Sequence, residues 1–193
     1  MSIIGVTGQI CSGKTTASKV LEKKGALRID VDKVGHDVLK KAVVKQKLLK
    51  VFGENIFEKR KVDRSKLAEM VFSDKTKMQS LCKIVHPIMK KEVIAKIKKS
   101  RRKNIVVDAA LLIEMGLDKY MDKILVITVK KSVQTARAKK RKIKEVDLKK
   151  RMKFQLPLKA FLEVADVVIA NNNCSKTFTK HILDNIRNLR YII

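Results

Sequence analysis

The stretch Ser2-Ile-Ile-Gly-Val-Thr7-Gly8-Gln-Ile-Cys-Ser-Gly13-Lys14-Thr15-Thr16 decides the fold of this chain. Its apolar start predicts a buried strand, and the i, i+3, i+4 spacing of apolar residues up to Lys24 predicts a helix that Gly25 ends. Between them, Gly-x-x-x-x-Gly-Lys-Thr is typical of a loop whose backbone N–H groups surround a phosphate. A glycine-rich turn without a ligand is the alternative, but both flanking elements match the phosphate-binding pattern.

The residues of this loop predict a nucleotide site. Lys14 is placed to reach the β- and γ-phosphates, and the Thr15 hydroxyl is placed to ligate Mg²⁺. The positive end of the following helix faces the same anion. Because the Cys11 thiol would lie beside Lys14 and a helix N-terminus, we also expect it to react with alkylating reagents unless Mg-ATP protects it. The candidate nucleotide-binding residues are Gly8, Cys11, Ser12, Gly13, Lys14, Thr15 and Thr16.

Length and composition predict a soluble, cytoplasmic protein without a membrane partner. A chain of 193 residues with 45% hydrophobic residues is long enough for one domain with a substantial core. No apolar run is long enough to span a bilayer. Three widely spaced cysteines, without a Cys-x-x-Cys pair, argue against disulfides and a zinc site.

A net charge of +27 raises the question of a nucleic-acid partner. Most of the basic residues are lysines spread over nearly every helix, and aromatic residues make up only 4% of the chain, so surfaces on which bases could stack are scarce. We therefore expect no specific nucleic-acid partner. An RNA-binding protein with a vestigial phosphate loop remains the alternative from another class.

Carboxylates follow two further predicted strands. The strand from Ala26 onward ends in Asp30 and Asp32, and the strand 104–108 ends in Asp108. Ligands of open α/β sheets bind at the carboxyl ends of strands, so these side chains are candidates for the same edge as the loop. Asp108 occupies the position of a carboxylate that helps to hold Mg²⁺. The alternatives are an N-cap at Asp32, for a helix beginning at Lys33, and a surface turn at Asp30.

A long helical stretch separates the second and third strands. We predict one helix over 33–51 with Val43 on its apolar side, a helix after Asp63, and a long helix from Asp74 to about Ser100 that Pro87 interrupts or kinks. His36, near the start of the first helix, is a capping or packing residue by default. The stretch is longer than a crossover requires, which suggests an inserted subdomain, about 33–103, that holds a second substrate.

The segment 137–153 carries ten Lys or Arg residues in seventeen. It has few apolar residues, so we expect a mobile cationic flap that core packing does not hold, with a solvated helical face as the alternative. Arg137, Arg141 and Arg151 are candidates for bidentate phosphate binding because arginine is rare in this chain. Two later strands, 123–129 and 165–170, and a final helix over 175–190 with Leu189 facing inward, complete a three-layer α/β fold with a parallel five-stranded sheet.

With these residues in place, the chain resembles the dephospho-CoA kinase family from end to end. The resemblance rests on a spaced set of short motifs: Thr7-Gly8 to Thr16, Asp30 to Asp32 with His36, Phe52-Gly53, Asp63-Arg64 with Leu67, Val71-Phe72, His86-Pro87, Asp108 with Leu111-Leu112 and Glu114, Arg137 with Arg141, Gln155 with Lys159, and Ala165-Asp166 with Asn171. Glycines are usual in the family at Gln9 and Cys11, and a proline at Ala110. The first two departures are expected to leave the phosphate nest intact.

The resemblance implies a P-loop NTPase-like fold with a core (about 1–32, 104–135 and 160–193), a helical CoA-binding insertion and a lid (about 136–159). It implies transfer of the ATP γ-phosphoryl group to the ribose 3′-hydroxyl of dephospho-CoA with Mg²⁺. We expect the protein to be a monomer or a weak homo-oligomer. Asp32 would orient or deprotonate the hydroxyl, and Arg141 would contact the transferring group. The residues implied to bind substrate are Asp32, His36, Arg64, His86 and Arg137. Another P-loop small-molecule kinase, such as a nucleoside monophosphate kinase, is the nearest alternative.

Overall fold

A computed structural model describes residues 1–172 and 174–188 of the chain. The chain forms two compact units. The first joins Met1–Asp30 to the chain from Lys99 onward, and the second is Val31–Lys98. In the part of the chain that the structure describes, no helix combines the length and the apolar character needed to cross a lipid bilayer.

The first unit is built on a sheet of five parallel strands, as the sequence predicts. The strands are β1 Ser2–Thr7, β2 Leu27–Asp30, β5 Asn104–Asp108, β6 Lys123–Thr128 and β7 Val167–Ala170. Their order in the sheet is β2-β5-β1-β6-β7, so β1 is central, and its neighbours β5 and β6 come from about a hundred residues later in the chain. A strand that is covered on both faces must be apolar on both, which accounts for the continuous apolar runs. Two short strands of the second unit come between β2 and β5 in the chain.

Helices complete the layers of the first unit. Helix α1, Lys14–Lys23, begins directly after the loop, and α9, Ser175–Asn188, closes the described chain. The expected inward position of Leu189 lies outside the described residues. Helices α6 Lys131–Lys140, α7 Glu145–Lys153 and α8 Leu158–Glu163 follow β6. The core between the sheet and helices α1 and α9 contains Ile4, Val6, Ala17, Leu21, Val106, Leu125, Ile127, Ile169, Phe178, Ile182 and Ile186.

The expectation that core packing would not hold 137–153 is wrong. Helices α6 and α7 occupy most of this segment, and Ala138 and Leu148 are almost fully buried. They pack with Cys11 of the phosphate loop. The polar composition of the segment hides this contact because only a few apolar residues, Ala138, Leu148, Ile143 and Met152, form it together with Ile10 and Cys11.

The second unit is mainly helical. Asp63 and Asp74 cap helices as predicted, each accepting two backbone N–H groups of the first turn. Pro87 does not interrupt the long helix, which runs through it. The elements are α2 Val31–Val38, α3 Ala42–Phe52, α4 Arg64–Phe72, α5 Lys75–Lys99 and a two-stranded antiparallel ribbon, β3 Phe57–Glu58 with β4 Lys61–Val62.

The region after β2 corrects two expectations. Asp32 neither ends the strand nor caps the helix, because β2 stops at Asp30 and α2 begins at Val31, which places Asp32 in the first helical turn. The helix predicted over 33–51 is two helices, α2 and α3, and the break shifts the apolar face. Val43 is therefore 59% exposed, while Val44 is fully buried.

Candidate active site

The phosphate loop between β1 and α1 depends on glycine at two positions. Gly8 has φ 143° and Gly13 has φ 107°, values that residues with a side chain rarely adopt. A Cβ at Gly8 would overlap the carbonyl oxygen of Ile127, and one at Gly13 would overlap the amide of Asn171. The Gly13 carbonyl accepts the N–H groups of Thr16 and Ala17, which starts α1. The glycine spacing therefore fixes both the turn and the helix start.

The candidate phosphate-binding side chains lie where the sequence places them, at the start of α1. Lys14 is the first helical residue and is half-buried, while Thr15 and Thr16 are exposed. The Ser12 hydroxyl is buried and has no hydrogen-bond partner among the described residues. Two glycines at close-approach positions, an unpaired hydroxyl and a helix N-terminus together fit a bound phosphate.

Cys11 differs from its expected role. Its φ of 60° is left-handed, a conformation that costs a residue with a side chain about 1–2 kcal/mol, which explains why glycine is the usual residue here. Its side chain is only 3% exposed and packs with Ala138 and Leu148. This burial argues against easy access of an alkylating reagent to the thiol, and the alkylation itself stays a prediction. Cys11 contributes to the loop through its backbone and through this apolar contact.

Four polar side chains from other parts of the first unit hold the loop. Gln134 on α6 donates to the Ile10 carbonyl (2.8 Å), and Gln155 accepts the Ile10 N–H (2.8 Å). The Ser12 carbonyl accepts one N–H from Asn171 (2.7 Å) and another from Arg137 (3.2 Å). Side chains outside the loop thus fix it at three peptide groups, which join residues 9 and 10, 10 and 11, and 12 and 13.

Arg137 and Arg141 lie in different surroundings. Arg137 is half-buried, and besides the Ser12 carbonyl it donates to the Asn171 side-chain oxygen (3.0 Å). Arg141 is exposed and follows the last residue of α6. Arg137 therefore supports the loop through two contacts, and its role toward substrate stays a prediction, as does that of Arg141.

Asp108 lies at the centre of a buried group of polar side chains, of which Arg28 and Ser18 were not predicted from the sequence. Parallel pairing puts Asp30 of β2 directly beside Asp108 of β5. Arg28 bridges the two carboxylates at 2.8 and 2.7 Å, and Ser18 donates to Asp108 at 2.7 Å. Asp108 is 4% exposed. Although burial disfavours its charge, hydrogen bonding and attraction to Asp108, and then to Asp30, raise the pKa of Arg28.

The oxygen donors near the loop suit Mg²⁺ chemically. Mg²⁺ prefers hard oxygen ligands and is usually held by one or two carboxylates together with substrate phosphates. Thr15 and Asp108 supply a hydroxyl and a carboxylate of this kind. Within residues 1–172 and 174–188, no group of three or more His, Cys, Asp or Glu side chains could hold a metal by itself. The side chains present therefore fit an ion that arrives with a nucleotide.

Glu114 lies in the chain after β5. One of its oxygens accepts the Leu156 N–H (3.2 Å), and the other is buried without a partner among the described residues. Burial raises the pKa of this carboxyl, against the smaller effect of hydrogen bonds from Glu114 and Leu156 backbone groups. The contact ties the segment after α7 to the loop that follows Asp108.

The second unit carries the remaining predicted residues. Asp32 and His36 are exposed on α2, and Arg64 is exposed at the start of α4. His86 is half-buried in α5, where burial lowers its pKa. All four remain candidate substrate-binding residues.

Sequence reasoning overlooked Arg28, Ser18 and Gln134. Arg28 had a usable signal, because it alternates with Asp30 on a short strand and therefore lies on the same side of the sheet. Gln134 had none, since its partner Ile10 is 124 residues away.

A parallel sheet whose central strand β1 leads into a phosphate loop and a helix defines the P-loop NTPase-like α/β fold, and solved structures have the same fold. A protein from Thermus thermophilus has TM-score 0.84 and 23% identity to this chain, and a dephospho-CoA kinase from Campylobacter jejuni has TM-score 0.71 and 24% identity; each alignment covers 97% of this chain and 96% of the other. At this level of identity the likeness shows the fold.

Sequence comparison gives the family. The family model for dephospho-CoA kinase matches residues 2–177. A dephospho-CoA kinase from Fusobacterium nucleatum is 40% identical over 173 residues, which are 89% of this chain and 90% of that protein. The chain belongs to the dephospho-CoA kinase family.

Proposed function

We propose that this protein transfers the γ-phosphoryl group of ATP to the ribose 3′-hydroxyl of dephospho-CoA, giving CoA and ADP. The observation that carries the proposal is an intact phosphate loop, with Gly8 and Gly13 in their required conformations, in a chain that matches this family over nearly its whole length. An intact loop also argues against a vestigial site in a basic RNA-binding protein.

In this reaction the bond between the γ-phosphorus and the β–γ bridging oxygen breaks, and a bond from phosphorus to the 3′-oxygen forms. Lys14 and the loop N–H groups neutralise the β- and γ-phosphates, which is the main requirement of phosphoryl transfer. Arg141 contacts the transferring group. Asp32 orients the 3′-hydroxyl and accepts its proton.

Mg²⁺, held by Thr15 and Asp108, would withdraw charge from the phosphate oxygens when it is bound. We further propose that the insertion holds dephospho-CoA through His36, Arg64 and His86, with Arg137 contributing from the lid. The exposure of Asp32, His36 and Arg64 supports a role in binding rather than in core packing.

A coupled ADP-release assay with dephospho-CoA, nucleoside monophosphates and RNA as acceptors tests the function, with mass spectrometry to locate the new phosphate. We expect turnover with dephospho-CoA and a 3′-phosphate in the product. Faster turnover of a nucleoside monophosphate would assign the chain to a different small-molecule kinase activity.

The variant Asp32→Asn tests the role of the carboxylate. An amide cannot accept the proton, so kcat should fall about 10²-fold or more. Stability should change little, because loss of a negative charge in the first helical turn costs only about 0.3–1 kcal/mol. Near-normal turnover would leave Asp32 as a helix-stabilising residue, and the search for the base would move to Asp30 or Asp108.

A further inference from the structure

Ile10 in the phosphate loop is held at both of its backbone polar groups, which belong to two successive peptide groups. The Ile10 carbonyl accepts from Gln134, and the Ile10 N–H donates to Gln155, both at 2.8 Å. The polarity of each contact is unambiguous, since a carbonyl only accepts and an N–H only donates. Gln134 is 3% exposed, and burying an amide is costly unless it is hydrogen-bonded. Its position is therefore better explained by the loop contact than by packing.

The peptide group that joins Ser12 to Gly13 is held at its carbonyl oxygen by two side chains. Asn171, 5% exposed, donates to the Ser12 carbonyl at 2.7 Å and accepts from Arg137 at 3.0 Å. Arg137 also donates to the Ser12 carbonyl. Asn171 follows β7, whereas Gln134 lies on α6, so two different elements act on alternate residues of the loop.

The directions of the Ile10 and Ser12 carbonyls fix the directions of the N–H groups that follow them in the chain. In a planar trans peptide, the C=O of one residue and the N–H of the next point in opposite directions. With the Ile10 carbonyl turned toward Gln134, the Cys11 N–H points away from it. With the Ser12 carbonyl turned toward Asn171, the Gly13 N–H points away likewise. Alternate N–H groups directed to one side are the arrangement that binds an anion.

We infer that Gln134 and Asn171 are positioning residues for the nucleotide phosphates, because they hold the Ile10 and Ser12 carbonyls outward and so direct the Cys11 and Gly13 N–H groups at the anion. The inference rests on the proposed function, in which this loop binds ATP. It assigns a role to Gln134, whose only sequence signal is a polar residue on a cationic helix.

The matched variants Gln134→Glu and Gln155→Glu test this assignment. Each adds one negative charge at nearly constant size. A carboxylate at 155 still accepts the Ile10 N–H; it loses the donor to the Ala110 carbonyl (3.3 Å), which lies outside the phosphate loop. A carboxylate at 134 cannot donate to the Ile10 carbonyl of the loop and repels it. Calorimetry measures the Kd for MgATP and for inorganic tripolyphosphate. We expect this Kd to rise at least about tenfold in Gln134→Glu, because the misdirected Cys11 N–H would lose a hydrogen bond to a charged phosphate, and such bonds are strong. In Gln155→Glu the Kd should rise less than about threefold.

Thr135→Glu on the exposed face of α6 controls for added charge near the loop. The KM for dephospho-CoA should stay within about twofold of wild type in Gln134→Glu, because the effect is confined to the phosphates. Gln134→Met removes the donor without adding charge, and it should also raise the Kd for MgATP. If both Gln134 variants melt far below wild type, Asn171→Asp provides the equivalent test, because it keeps the contact with Arg137 and loses the donor to Ser12.

Unchanged affinity for MgATP and tripolyphosphate in folded Gln134→Glu and Gln134→Met would overturn the inference and leave the proposed function standing. Equal weakening in Thr135→Glu and Gln134→Glu would also overturn it, since charge alone would then explain the effect. Absence of MgATP binding in the wild-type protein would overturn the proposed function together with the inference.

Discussion

The variant Arg28→Met should strongly destabilise the first unit. Arg28 reaches Asp108 through two N–H groups, at 3.2 and 2.7 Å, and its side chain is 12% exposed. Methionine keeps much of the buried stem but leaves the Asp108 carboxylate, 4% exposed, with its contact to Ser18. Removing one partner of a buried ion pair typically costs about 3–5 kcal/mol. We expect the lower end of this range, about 3 kcal/mol, because Ser18 continues to donate.

For a chain of this size, about 3 kcal/mol corresponds to a fall in Tm of about 6–12 °C. Thermal melts and urea titrations followed by circular dichroism would measure it. Lys149→Met is the matched control: it breaks an ion pair of similar length, 2.7 Å to Glu145, whose side chains are 70% and 65% exposed. Exposed pairs contribute little, so its Tm should shift by less than about 2 °C. Equal shifts in the two variants would refute the reasoning that burial makes the Arg28 pair important.

Three further predictions concern reactivity, pH and the lid. Iodoacetamide should modify Cys174 well before Cys11, because Cys174 is exposed with its pKa lowered by the hydrogen bond with Thr177, whereas Cys11 is buried; peptide mapping that finds Cys11 modified first would contradict this. Burial lowers the pKa of His86 in the folded protein, so as the pH falls the imidazole is protonated in the unfolded chain before it is protonated in the folded one. The stability present above about pH 6.5 should therefore decline as the pH falls. His86→Gln should lose less stability between pH 7 and pH 5 in urea titrations, and parallel losses would count against it. Arg141→Lys keeps the charge but loses the planar fork, so kcat should fall by more than about tenfold, and an unchanged kcat would make Arg141 a solvated surface residue.

Features set by neighbouring residues were predictable from the sequence. The phosphate loop follows from glycine spacing, and the helix starts after Asp63 and Asp74 follow from side chains that cap their own first turn. The break between α2 and α3 was not predictable in this way, because a single helix also gives a plausible apolar face. Only burial in the structure separates Val44 from its neighbour Val43.

Features set by distant partners were not accessible from the sequence. The sequence of the polar helix α6 does not indicate which residue it packs against, and only the structure shows its contact with Cys11. In the same way, Gln134 is an unremarkable polar residue until β1 and α6 are brought together, since its partner in the loop lies 124 residues earlier. Local patterns therefore located the site, and tertiary contacts supplied the residues that shape it.

The central place of β1 in the sheet has a consequence for synthesis of the chain. Strand β1 leaves the ribosome well before both of its neighbours, because β5 and β6 are made about a hundred residues later. At about 5–20 residues per second, an apolar strand waits roughly 5–20 s for its first partner. During that time β1 has no neighbouring strand, and the phosphate loop that follows it is not held in place by the sheet. Nascent chains that end before residue 104 should therefore bind holding chaperones rather than nucleotide.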